Sequence, residues 1–143
     1  RHLAAQREAP TRTCLLGPGS EVWLPAMEWE AMEAMEAEEG ESTGSAALLT
    51  DLMAGYVEGL MQPLPLACKT AFAVLRQSQG EKGANPDQDY EGSYQFSGER
   101  DEHAGYRRFW PDFASLSAAA GFTDWVERLY GPLYQQAITH QEL

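Results

Sequence analysis

Cysteine is nearly absent from this sequence: Cys14 and Cys68 are the only two in 143 residues. Two isolated thiols exclude a disulfide scaffold and the closely spaced ligand pairs of a zinc site. Long apolar runs are also missing. None approaches the roughly 20 residues that span a bilayer, and no signal-peptide pattern opens the chain. Basic residues are scarce, with 10 Lys and Arg against 22 Asp and Glu, a formal net charge of −12. A self-sufficient nucleic-acid binder carries the opposite balance to neutralise phosphates. There is no Gly-x-Ser-x-Gly elbow, no phosphate-binding loop and no dinucleotide fingerprint. The three histidines, His2, His103 and His140, each lack a local partner for base catalysis. What is left is an acidic chain expected to be cytoplasmic, long enough for one domain or part of one.

The charge is unevenly distributed. Seven acids and no base lie between Glu28 and Glu41, and outside that block fifteen acids face ten bases. Such a run repels itself and cannot be buried unpaired, so segment 28–44 reads as an acidic, mobile insert. Asp101, Glu102 and His103 form a second acidic cluster, but adjacent residues of one loop rarely converge on an ion. No metal or other cofactor is expected.

Short-range patterns outline an α+β, mostly helical chain. Arg1 to Gln6 reads as the tail of a helix whose beginning is absent, ended before Pro10. Thr13–Leu16 and Glu21–Leu24 flank Gly17-Pro18-Gly19-Ser20, the pattern of a β-hairpin. Two strands are marginal alone, so a third strand or a helical cover is required. Ala26 to Glu39 favours helix by composition, and Gly40 to Gly44 forms a joint. Ala46 to Met61 is the clearest helix. Leu48, Leu52, Tyr56 and Leu60 form one row and Leu49, Met53, Val57 and Met61 the next, a broad face expected to be buried. Pro63 and Pro65 end it, and Ala67 to Gln77 is a further helix with Ala71, Phe72 and Leu75 inward.

Gly80 to Gln88 reads as a loop and Tyr90 to Phe96 as extended chain, followed by a polar stretch to Glu102. Pro111 is the expected first residue of a helix through Leu116. The last helix starts near Thr123, with Phe122, Val126, Leu129, Leu133 and Ala137 on one face and a kink at Pro132.

One cluster carries candidate binding chemistry. Tyr90, Tyr94, Phe96, Tyr106, Arg107, Arg108, Phe109, Trp110 and Phe113 fall within 24 positions. Arginine with aromatic faces stacks bases or grips phosphates, so Tyr94, Tyr106, Arg107, Arg108 and Trp110 are candidate contacts to DNA or a partner. The competing reading is a satellite core, with Trp110 and Phe109 anchoring a turn. In that reading the arginines pair with Glu99, Asp101, Glu102 and Asp112.

Four stretches in order resemble the extreme C-terminal region of the RecC family, the gamma subunit of bacterial exonuclease V, the RecBCD helicase–nuclease. They are Gly55-Tyr56-Val57-Glu58-Gly59-Leu60-Met61-Gln62-Pro63-Leu64, then Ala67 to Leu75. Next come Tyr90-Glu91-Gly92 with Gly98-Glu99 and Tyr106-Arg107-Arg108-Phe109-Trp110, and finally Leu129-Tyr130-Gly131-Pro132-Leu133. The resemblance implies a C-terminal fragment of a longer chain, from the part of RecC similar to an inactive PD-(D/E)XK nuclease fold. It implies RecB-like and RecD-like partner subunits, DNA met through the full complex, and no membrane. An active nuclease of that class needs an Asp on one strand and a Glu/Asp-x-Lys on the next. Neither Lys69 nor Lys82 has a strand-borne carboxylate two residues earlier, which agrees with inactivity. The expected function is therefore complex assembly and strand routing without catalysis. The alternative is a free-standing acidic module binding a protein through its aromatic patch. A reading frame continuing far upstream of Arg1 favours the first.

Overall fold

The computed structural model describes residues 1–6, 8–26, 45–135 and 139–142. The acidic segment 28–44, the helix expected across it and Ala137 lie outside these residues. The chain divides into two compact units, Arg1–Ala54 with Gln135–Leu143, and Gly55–Tyr134.

The first unit begins with α1 (His2–Gln6) and the hairpin of β1 (Thr13–Gly17) and β2 (Ser20–Leu24). The strands are antiparallel, with Cys14 opposite Trp23 and Gly17 opposite Ser20. Pro18 and Gly19 make the reversal. Proline fixes φ at the first corner, and Gly19 takes φ +84° at the second, the pattern of a type II turn. β3 (Thr139–Glu142) pairs antiparallel with β2 and completes a three-stranded sheet in the order β1-β2-β3. The required third strand thus comes from the far end of the chain. Its four residues carry no hairpin signal of their own, so no local pattern pointed to it.

The turn after α1 is held by one side chain. Gln6 is fully buried; its Nε2 donates to the Thr11 carbonyl, and Thr11 N–H donates to its Oε1 at 3.2 Å. His2 Nδ1 lies 2.7 Å from Thr13 Oγ1, tying α1 to the start of β1. Burial holds the His2 imidazole below its ordinary pKa. The Arg12 guanidinium covers the Trp23 ring at 5.0 Å, a cation–π contact.

α2 (Ser45–Met61) runs from the first unit into the second, with the boundary after Ala54. Its limits match the expected helix, but its orientation does not. Of the two rows expected in the core, Leu48 and Leu49 are half-buried, whereas Leu52, Met53, Tyr56, Val57, Leu60 and Met61 are all exposed. The contact is made instead by Gly55, which is buried. A methyl group there would sit 3.1 Å from Leu129 Cδ1 and 3.5 Å from the Trp125 ring. Backbone approach on the glycine side therefore selects which side of the helix is covered.

The second unit adds α3 (Cys68–Ser78), α4 (Pro86–Glu91), a 3₁₀ turn (Glu99–Asp101), α5 (Ala104–Phe109), α6 (Phe113–Ser117) and α7 (Phe122–Gln135). Its core is Ala67, Ala71, Leu75, Tyr90, Leu116, Phe122 and Val126. Small residues on α3 let the aromatic side chains close in. Phe72 meets Tyr130 edge-on at 5.5 Å, and Phe113 meets Phe122 at 6.3 Å.

Three local expectations change here. Pro86 to Gln88, expected at the end of a loop, and Tyr90 and Glu91, expected as extended chain, lie together in one helix, because Asn85 caps α4 and Pro86 opens it. Pro111 lies before the helix it was expected to start. Asp112 is the N-cap, in a capping box with Ser115, so Phe113 is the first helical residue. Leu133, expected inward on α7, is exposed.

Candidate DNA or partner interface

The aromatic–basic cluster is assembled around Tyr90, which has no exposed surface. Its hydroxyl donates to the Trp110 carbonyl at 2.6 Å, which fixes the end of α5. Desolvation by burial, with Tyr106 beside it, pushes the Tyr90 pKa up to about 12. Tyr106 meets Tyr90 edge-on at 6.3 Å, and both Tyr106 and Trp110 pack on the core. Two of the five candidate contacts, Tyr106 and Trp110, are therefore half-buried parts of this unit's packing. The satellite-core reading describes these two.

The arginines divide. Arg107 is tied to Asp101, with Nε donating at 2.8 Å and Nη2 at 2.6 Å from the same Oδ1. Arg108 is exposed on α5 and makes no ion pair among the described residues. Tyr94 is fully exposed, and Phe96 and Phe109 are largely so. Phe96 and Phe109 belong to the same aromatic–basic cluster but stand outside the five candidate contacts.

Tyr94 and Phe96 stand on a loop built by glycine. Gly92 and Ser97 form an isolated bridge, and Ser93 N–H donates to the Phe96 carbonyl at 2.8 Å. Gly92 has φ +84°, and a Cβ there would meet the Phe96 carbonyl oxygen at 2.6 Å. A Cβ on Gly98 would overlap the backbone of Tyr90, Glu91 and Gly92. The two ends of the loop thus touch backbone to backbone. Only glycine at both positions permits that closure. Tyr94, Gln95 and Phe96 are left facing solvent.

The acids beside this loop are committed to helix ends. Glu99, 5% exposed, accepts from Lys69 N–H at 3.0 Å, and from Thr70 N–H and Thr70 Oγ1 at 2.9 Å each. It caps α3, whose N-cap residue Ala67 has no side chain able to do so. Glu91 accepts from Phe113 N–H at 2.9 Å at the start of α6. Arg100 joins the two regions, donating to the Pro111 carbonyl at 2.7 Å and lying 3.4 Å from Glu91 Oε2. Asp112 accepts from Ser115 N–H at 2.7 Å, and that hydrogen bond holds its carboxyl below the usual range.

Members of the Asp101–Glu102–His103 run also separate: Asp101 holds Arg107, Glu102 pairs with Lys69, and His103 meets the Tyr106 ring edge-on at 5.9 Å. No group of three His, Cys, Asp or Glu that could hold a metal ion occurs among the described residues. Sequence reading missed Glu99, Glu91 and Arg100 because their partners are eleven to thirty positions away.

Taken by its fold and this surface, the chain is of a helical α+β class in which carboxylates brace helix ends beside an aromatic loop. The family model of the RecC C-terminal domain matches residues 1–79, and the chain belongs to that family, part of the RecC subunit of RecBCD. The first two resembling stretches fall inside the match, and the stretches from Tyr90 onward lie beyond it. No curated protein and no solved structure matches the chain.

Proposed function

We propose that the chain is a non-catalytic segment of a RecC-type subunit in a helicase–nuclease that repairs DNA double-strand breaks. In this reading it supports assembly with RecB-like and RecD-like subunits and helps route the separated strands. The observation that carries the non-catalytic part is the use made of its acids. Glu99, Glu91 and Asp112 each accept a backbone N–H at a helix start. A carboxylate held in this way is not presented to an Mg²⁺ ion and an attacking water. The wider inactive nuclease-like domain, the absence of a cofactor and a cytoplasmic setting belong to the same reading. The membership of RecBCD supports the partners, and the net charge of −12 supports DNA being met through the whole complex rather than by this segment alone.

Tyr94, Arg107, Arg108, Tyr106 and Trp110 remain the proposed contact set, with Tyr94 and Arg108 as its solvent-facing members. The test is co-purification of the RecC-type subunit with its two partners, with and without this segment. Loss of the complex on deletion supports an assembly role. Retention of a fully active complex overturns it.

A further inference from the structure

We infer that the outer edge of β1 is a strand-addition site, which takes an extended segment of a partner subunit as a fourth strand. The inference deepens the proposed assembly role and rests on that reading. β1 is the terminal strand of the sheet β1-β2-β3, so one side of it has no neighbouring strand among the described residues. Gly17 and Ser20 close the two-residue turn as a hydrogen-bonded pair, and such pairs alternate along an antiparallel ladder. Leu15 with Val22 and Thr13 with Leu24 are therefore the pairs bonded inward. The N–H and C=O groups of Cys14 and Leu16 point away from β2 and present two donors and two acceptors at the edge. Leu15 and Leu16, on opposite faces of the strand, are 56% and 76% exposed.

Natural sheets guard such an edge with Lys, Pro or a bulge. Thr13-Cys14-Leu15-Leu16-Gly17 has none of these: it holds no charge and no proline, and its register with β2 runs without a break. The strand at the other edge, Thr139-His140-Gln141-Glu142, is polar throughout. The row of main-chain groups defines the occupant. Only another extended chain matches donors and acceptors at this spacing, and an open leucine on each face favours Val, Ile or aromatic neighbours on it. Charge and size disfavour a second copy. Each copy carries a net charge of −12. An edge about 17 Å long and roughly 10 Å deep covers on the order of 200 Å². A stable interface needs about 800 Å² per partner, so the added strand stays only where other contacts already hold it close. A subunit bound in the same complex meets that condition, and the chain belongs to the family of such a complex.

The test is residue-resolved amide hydrogen exchange in three samples: the isolated chain, the RecC-type subunit alone, and its complex with the two partner subunits. In the first two, Cys14 and Leu16 should exchange faster than Leu15, whose N–H bonds β2. In the complex both should slow by at least about tenfold while Leu15 changes little. Leu16→Pro removes one outward donor and no inward one, a substitution that edge strands accept. It should speed Cys14 exchange in the complex by at least about threefold, the loss of one hydrogen bond. Leu16→Lys, an edge guard that keeps the N–H, should act in the same direction, and it decides the matter if Leu16→Pro loses the protection of Leu15. Fast exchange of Cys14 and Leu16 in the complex overturns the inference. So does indifference of Cys14 to a variant that keeps Leu15 protected. Slow exchange already present in the isolated chain or in the RecC-type subunit alone overturns it too, with sedimentation velocity separating a second copy from a strand of the same subunit. If the two amides stay fast in a complex that depends on this segment, only the strand-addition assignment falls. Amides slowed in a complex that also forms without the segment keep the assignment and remove the assembly role.

Discussion

Removing the Glu99 carboxylate should destabilise the chain far more than a surface acid would. Glu99 accepts three hydrogen bonds, and two of them, from Thr70 N–H and Thr70 Oγ1, are buried. A charge-assisted bond contributes about 1.5–3 kcal/mol net, and an orphaned buried donor costs about 1–3 kcal/mol. These terms overlap, because the same two Thr70 groups enter both. The N–H of exposed Lys69 can recover water. Glu99→Ala should therefore cost about 3–5 kcal/mol, a large part of the roughly 5–15 kcal/mol available to a domain. Glu99→Gln keeps one acceptor oxygen and turns an amide NH₂ toward the other donors, so it should cost about half as much.

Urea denaturation of the full chain, followed by circular dichroism at 222 nm, reads these differences. Thr70→Val supplies the partner for a double-mutant cycle, with a coupling energy expected between about 0.5 and 3 kcal/mol. If Glu99→Ala lies within about 1 kcal/mol of the parent, the capping argument is refuted. A coupling of zero with Thr70→Val would remove the Thr70 Oγ1 bond from this account and leave the cap to the backbone N–H groups, which valine keeps.

Gly98→Ala should cost at least about 2 kcal/mol, because the added methyl meets three backbone groups that cannot rotate away. Gly105→Ala, in open space inside α5, should stabilise by about 0.5–1 kcal/mol in the same assay. Tyr90 has its folded pKa pushed up to about 12 from an ordinary 10, so its neutral form is favoured by folding. That contribution is complete below pH 10 and is lost as pH rises from 10 to 12; Tyr90→Phe should flatten the alkaline limb of a stability–pH curve. Leu60→Ala, on the exposed face of α2, should cost less than about 1 kcal/mol, whereas Leu116→Ala in the core should cost about 2–5 kcal/mol. The isolated chain should neither cleave DNA with Mg²⁺ or Mn²⁺ nor bind it measurably near physiological salt. Cleavage lost on mutating one of its own acids would overturn the non-catalytic reading, and tight salt-insensitive binding in an anisotropy titration would contradict the charge argument.

Local chemistry by itself determined the hairpin and the extents of α2 and α3. Gly17-Pro18-Gly19 carries its own turn geometry, i+4 rows mark a helix, and Pro63 with Pro65 closes α2 wherever the rest of the chain lies. The resemblance to RecC was likewise legible, in ordered stretches of sequence. Tertiary structure alone decided which side of α2 is covered. Two apolar rows show that a helix has a sticky face, but the backbone approach of Gly55 to Leu129 depends on a residue 74 positions away.

The candidate surface follows the same division. Composition gathered the aromatic residues and arginines, yet only packing separated buried Tyr90 and its neighbours Tyr106 and Trp110 from exposed Tyr94 and Arg108. The caps made by Glu99 and Glu91 bridge 22 to 30 positions, and the closure of Gly92 on Gly98 is a contact of backbones. Neither leaves a periodic trace, because each depends on where two distant segments meet and not on the spacing of residues along one of them.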